Sequence, residues 1–315
     1  MTGQSALTLS VALILGFGVP WLTMRMLLPT LTGEGARTAT NYRGRPVAYG
    51  LGAVWFVWAG CATAAGVALS GLLGTSSILA VLTIAGPVAL VAFGAGVIDD
   101  AYGSGASKGF SGHLRALAKR RLTTGGLKVL AIGTASLVAS ISMAPVASWG
   151  AGGSWNASVA LGVIVAGAAI ALTSNLLNLT DLRPGRALKV YVLLAILGVL
   201  STGLLFASAV TGVDLPVGIG RLVDTVSLGV FILGPALAVW RYDLGEVAML
   251  GDAGANPMGA VAGLLIVLGL PLWALIGYTA VVFALNLASE RVSFSRVIEG
   301  SAVLSRLDRV GRRDM

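Results

Sequence analysis

The sequence predicts an all-α integral membrane protein, a polytopic helical bundle of about nine transmembrane helices with its N-terminus outside and its C-terminus cytoplasmic. Three observations carry this. Of 315 residues, 56% are hydrophobic and only 11% are charged, against roughly 25% charged residues in an ordinary soluble domain. Apolar runs long enough to cross a bilayer recur along the whole chain. Basic residues are confined to alternate connections, the positive-inside pattern that orients such a bundle. The 44 glycines are scattered through the apolar runs with Ala and Ser, as expected where spanning helices pack closely.

The apolar segments fall at 5 to 28, 47 to 73, 77 to 98, 125 to 146, 157 to 177, 187 to 210 and 222 to 240, with a long one from 257 to 288. Gly269-Leu270-Pro271 interrupts the last, which is too long for one crossing and is read as two helices. The first run has no basic stretch before it and no small-residue cleavage site, so a retained helix is expected instead of a signal peptide. With the N-terminus outside, the inner connections are 29 to 46, 99 to 124, 178 to 186, 241 to 256 and the tail from 289. Of the 21 Lys and Arg residues, Arg25, Lys128 and Lys189 sit at inner helix ends, only Arg221 falls outside, and all others lie in those inner connections. Treating 257 to 288 as one helix would put the basic tail outside, which the charge pattern rejects. The division is therefore a transmembrane catalytic domain over 1–288 and a basic cytoplasmic tail over 289–315.

The net charge of +8 does not point to nucleic acid, because it is spent on orienting the spans. A single cysteine, Cys61, excludes a disulfide framework and any cysteine metal site. A single histidine, His113, excludes a His-cluster zinc site and leaves metal chemistry to oxygen ligands, which favour Mg2+ or Mn2+.

Asp99 and Asp100 close the apolar run from Leu79 to Ile98. Charge at bilayer depth is costly unless paired or bound to an ion, so the pair belongs at the water boundary. Neighbours on a helix point about 100° apart, so one can face a metal and the other a nucleophile. Asn175, Asn178 and Asp181 recur every three residues, which places amide and carboxylate groups on one face of a helix end. Arg183 and Arg186 follow in a Pro-Gly turn suited to an anionic diphosphate. In Gly251-Asp252-Ala253-Gly254-Ala255-Asn256-Pro257, Asn256 suits a helix cap and Pro257 its first position. The free N–H groups of such a start favour phosphate, and Asp252 just before it can hold a divalent ion. The span from 257 to Gly269 is then only about 20 Å long, shorter than a roughly 30 Å hydrocarbon core, which a cleft sunk below the membrane surface would explain. Lys108 to Arg121 puts Phe110, Leu114 and Leu117 on one face and basic groups on the other. It reads as a lipid-surface segment or as one whose Lys119, Arg120 or Arg121 meets a lipid or nucleotide phosphate. His113 reads there as a surface residue.

The order of VIDDAYG, NLLNLTD and MLGDAGA, with YRGRPVAYG between the first two spans, resembles the polyprenyl-phosphate N-acetylhexosamine-1-phosphate transferases over about 41 to 290. The resemblance implies a cell-membrane enzyme of envelope biogenesis that moves a sugar 1-phosphate from a UDP-sugar to a polyprenyl phosphate, with Mg2+. It implies catalytic roles for Asp99 and Asp100, nucleotide-sugar contacts for Asn178 and Asp181, and Mg2+ binding by Asp252, with Asp100 beside it. Asn175, Arg183, Arg186, Lys119 and Arg120 complete the expected substrate-binding set. A homodimer is compatible with such a bundle. The chain departs from the family pattern in Asp181-Leu182-Arg183-Pro184-Gly185, where a second acid is usual, in Gly103, and in having SERVSFSRVIEG where the family carries a His-rich loop. The rival reading is a relative that no longer catalyses and serves as a membrane scaffold or nucleotide-sugar binder.

Overall fold

The computed structural model describes residues 3–73, 77–103, 112, 116, 118–150, 155–205 and 219–312. Among them, nine helices are long and apolar enough to cross a membrane. They are α1 (Ser5–Thr32), α2 (Ala53–Leu73), α3 (Ser77–Tyr102), α4 (Thr124–Met143), α5 (Ala157–Thr180), α6 (Arg186–Leu200), α7 (Ile219–Leu244), α8 (Asp252–Gly269) and α9 (Leu272–Ser289). Two short helices, α10 (Phe294–Gly300) and α11 (Ala302–Arg309), follow. The protein is thus an all-α polytopic membrane protein, and the break at Gly269-Leu270-Pro271 does separate two helices. Most of the amphipathic stretch, with Lys108, Phe110, His113, Leu114, Arg115 and Leu117, lies outside the described residues.

Helix α8 is the axis of the bundle. Every residue from Ala253 to Gly269 is buried, and α3, α5 and α6 pack around it. Lipid offers no hydrophobic drive for helices to associate, so close backbone approach must supply the attraction. Glycine permits that approach: a Cβ on Gly259 would come within 2.5 Å of Thr173 O and Ser174 Cα, and one on Gly96 within 2.5 Å of Asp252 O.

Backbone groups freed by proline or by helix ends are met by side chains, as a low-dielectric interior demands. Pro235 inside α7 has no N–H for Phe231 O, and Trp58 Nε1 donates to that carbonyl at 2.8 Å. Tyr191 Oη donates to the adjacent Ile232 O at 2.7 Å. Trp149 Nε1 donates to Val267 O, in the last turn of α8, at 2.9 Å.

The run 47 to 73 begins differently from its sequence reading. Strands β1 (Thr38–Thr40) and β2 (Pro46–Tyr49) form an antiparallel hairpin, and β3 (Ala248–Met249) adds in parallel on β2, pairing Tyr49 with Met249. The first three residues of the run, Val47 to Tyr49, therefore belong to a sheet, and α2 starts at Ala53. This sheet ties the connection between α1 and α2 to the turn that opens α8.

The start of α8 is a second correction. Helix begins at Asp252, so Asn256 and Pro257 lie in its second turn instead of capping it. Gly251, at φ +66°, makes the entry, and a Cβ there would collide with the Tyr49 hydroxyl. The helix has 18 residues, about 27 Å at 1.5 Å each, so most of the supposed shortfall disappears.

Gly259→Leu is expected to destabilise the bundle by roughly 1–3 kcal/mol through overpacking, whereas Gly133→Leu, whose Cβ position has nothing within 4 Å, leaves stability unchanged. Thermal unfolding of the two variants in detergent compares them directly.

Candidate active site

Chain direction brings the ends of α3, α5, α7 and α9 and the starts of α4, α6 and α8 to one end of the bundle, together with the small sheet. Asp99 and Asp100 sit in the last turn of α3 and diverge. Asp100 accepts from the N–H groups of Asp252 and Ala253, at 3.1 and 2.9 Å, and from the Tyr49 hydroxyl. It thus satisfies two of the donors that any helix start leaves without an intrahelical partner. Burial, and then Asp100 beside it, pushes the Tyr49 phenol well above its ordinary value, so its proton stays in place and donates.

Asp99 faces the other way. Its Oδ2 lies 2.9 Å from Lys128 Nζ, and Asp252 Oδ2 lies 2.5 Å from the same nitrogen. Thr124 also hydrogen-bonds Asp99. Lys128, one turn inside α4, is buried and shared between two carboxylates contributed by two other helices. Asp181, just past the end of α5, accepts from Gly251 N–H. Burial first, then the charges of Asp243, Asp252 and Asp100, raises its pKa well above the usual carboxylate value.

These groups floor and flank a cleft of about 900 Å³ lined by Asp99, Asp100, Lys128, Asp252, Asn175, Asn256 and Asn286 on its polar side. Such a volume is at the upper end of small-ligand sites. The other wall is apolar, and its residues Leu122, Val129, Phe283 and Leu287 are each more than half exposed on the outside of the bundle. The cleft is thereby continuous with the surface that faces lipid. Asn175 Nδ2 donates to Asn286 Oδ1 at 2.6 Å, which holds α5 and α9 together across it.

The sequence-predicted residues divide. Asp99, Asp100, Asp252 and Asn175 line the cleft. Asn178 does not: a step of three residues turns a helix by about 300°, so each repeat drifts about 60°, and Asn175, Asn178 and Asp181 do not share a face. Asp181 reaches the Gly251 turn from its own side. Lys119 and Arg120 occupy an exposed turn just before Leu122, Arg120 with φ +55°.

Arg183 and Arg186 are committed elsewhere. Arg183 pairs with Glu299 at 2.7 Å and stacks over the Tyr42 ring. Arg186 is buried and grips Asp308 with Nε and Nη2, at 2.9 and 3.0 Å, and Ser295 with Nη1. The turn that looked suited to a diphosphate is therefore the seat of the C-terminal helices. The tail is likewise not a free basic extension, since Lys189 donates to Leu307 O and Asp308 O and Arg312 to Pro184 O.

Sequence reasoning missed Lys128 and Tyr49. The signal for Lys128 was available: an ammonium one turn inside an apolar span is costly unless something pairs with it. For Tyr49 there was none, because its role depends on strand pairing.

Among the described residues, no group of three or more His, Cys, Asp or Glu side chains is arranged to hold a metal ion. Mg2+ does not require one, since it is usually bound through one or two carboxylates plus substrate phosphates and water. Asp99 and Asp252, both hard oxygen donors meeting on one cation, fit that requirement. Asp100, expected as a ligand, has its oxygens turned to the start of α8 and to Tyr49. No protein-family model matches the chain, and no curated protein matches it.

The raised pKa of Asp181 fixes a sign. The unfolded carboxyl ionises near 3.9 and the folded one only at higher pH, so the native state holds the extra proton in between and stability falls as pH rises through that window. Asp181→Asn is expected to match the wild type near pH 4 and to be the more stable protein at pH 8, in denaturation curves taken at both.

Proposed function

We propose that the protein transfers a sugar 1-phosphate, an N-acetylhexosamine 1-phosphate by its sequence resemblance, from a UDP-sugar to a polyprenyl phosphate at the cytoplasmic face of the cell membrane. The observation that carries the reading is the position of the Asp99, Lys128 and Asp252 cluster in a cleft with one polar side and one apolar side open towards lipid. A donor from water and an acceptor anchored in the bilayer need such a meeting place.

In this reaction a phosphate oxygen of the lipid attacks the phosphorus that bears the sugar. The bond from that phosphorus to the bridging oxygen breaks and UMP leaves. Such transfers require positioning and charge neutralisation more than covalent participation by the protein. Both reactants are anions. Lys128 supplies positive charge between them, and Asp99 and Asp252 fix where its ammonium stands. Mg2+, with Mn2+ as a substitute, would be held by Asp99 and Asp252 and would neutralise diphosphate charge. Asp100 and Tyr49 act through the backbone: they lock the start of α8, which sets the direction of Asp252. Asn175 and Asn286 stiffen the polar side of the cleft. The polar connections and the positive-inside distribution of Arg and Lys support the cytoplasmic placement.

One observation favours the non-catalytic alternative. Arg183 and Arg186, the cations best suited to a diphosphate by sequence, are occupied by the tail, as in a scaffold whose polar groups only hold helices together.

Purified protein with Mg2+, polyprenyl phosphate and a panel of UDP-sugars is expected to release UMP with at least one donor. Lys128→Met and Asp252→Asn should each lower that rate by about 100-fold or more, the scale of losing one preorganised charge-stabilising group. Donor binding without UMP release under any condition would select the scaffold reading.

A further inference from the structure

The C-terminal helices carry a face that the bundle does not cover. In α11 the apolar residues Val303, Leu304 and Leu307 are 67%, 42% and 58% exposed. At 3.6 residues per turn they fall within about 100° of one another. Val310, just past the helix, extends the patch at 62% exposed. Arg306 and Arg309 are exposed on the opposite flank, and Ser305 and Asp308 complete the polar side. Arg309 is held on that side by its own helix, through Ser305.

The polar side of this helix is tied to the bundle. Asp308 is clamped by Arg186 and Arg312, and Lys189 donates to two carbonyls of the helix. Arg186 and Lys189 belong to the first turn of the span α6, and α10 begins five residues after the span α9 ends. The apolar stripe is thus held at the level where two membrane-crossing helices leave the hydrocarbon. Burial first opposes the charge on Asp308, but the hydrogen bonds and charges of Arg186 and Arg312 outweigh it and hold its carboxyl below the usual range. The clamp is therefore closed at neutral pH.

We infer that α10 and α11 form an interfacial surface that binds the anionic lipid headgroups of the adjacent leaflet. The apolar stripe enters the headgroup region, and Arg291, Arg296, Arg306 and Arg309, all exposed, meet phosphate charge. An amphipathic helix with one apolar face and a basic flank is built for that boundary, and anionic lipid is the partner that complements its charge. A second copy of the chain would bring the same basic groups together and is the poorer match. The surface does not depend on what the cleft does.

Site-directed spin labels test this on the full chain in nanodiscs, in a Cys61→Ser background with Leu307→Cys or Arg309→Cys. In bilayers containing anionic lipid, the label at 307 is expected to collide several-fold more with oxygen, relative to a water-soluble nickel chelate, than the label at 309. In purely zwitterionic bilayers that difference should shrink. Equal ratios at the two positions would overturn the interfacial placement. A difference that persists undiminished without anionic lipid would overturn the headgroup assignment, and spin-spin broadening at 307 between copies would replace the bilayer with a second chain.

Discussion

The start of a helix inside a membrane protein is the constraint from which the rest follows. Helix α8 is buried along its length, so its first N–H groups cannot turn to water, and an unsatisfied backbone donor in that setting costs several kcal/mol. Asp100 takes two of them, and Asp181 takes the N–H of the preceding Gly251. Bringing carboxylates to a buried helix end creates an excess of negative charge, to which Asp99 and Asp252 add. Lys128 offsets part of it. The acids converge on one place first because the fold needs acceptors there.

That structural demand does not exhaust the arrangement. Capping occupies Asp100, yet Asp99 and Asp252 contribute nothing to the backbone of α8 through their side chains. They face the cleft with an ammonium between them, and Lys128 itself forms part of the cleft lining. A bundle held together for its own sake would bury this ion triad away from open space or replace it with apolar residues, since buried charge clusters are weak sources of stability. Its position on the wall of a 900 Å³ cleft is what supports the proposal of a charged ligand there.

The helical plan was legible because long apolar runs and basic connections report directly on the bilayer, and no tertiary contact is needed to read them. Asp99, Asp100 and Asp252 were legible for a related reason: charge at the end of an apolar run needs a purpose. Other features depend on pairings between distant segments, to which periodicity is blind. Tyr49 reaches the site only because β2 pairs with β3. Arg183 and Arg186 looked free because the sequence does not show that Glu299 and Asp308 return to them. Asn256-Pro257 imitated a helix start because Asn and Pro favour that position in general, whereas here Gly251 and the Asp100 carboxylate already supply the entry one turn earlier.

The C-terminal helices are linked to the site through one short segment. Asp308 holds Arg186, Gly185 N–H donates to Asp243 Oδ2 at 2.6 Å, and Asp181, four residues before Gly185, reaches the Gly251 turn. The two acids at the ends of this segment respond to pH in opposite senses. Asp308 has its pKa lowered, so its contribution is present above the ordinary carboxylate range and is lost only as pH falls through its folded value. Asp181 has its pKa raised, so the strain of its ionisation is absent in acid and grows as pH rises. Acidification therefore loosens the tail while relieving the turn beside Asp252, and a rise in pH does the reverse. The segment that presents Asp181 to the Gly251 turn is thus anchored by Asp243 and, through Arg186, by Asp308 of the tail, which makes the tail a structural part of the site and not an appendage to it.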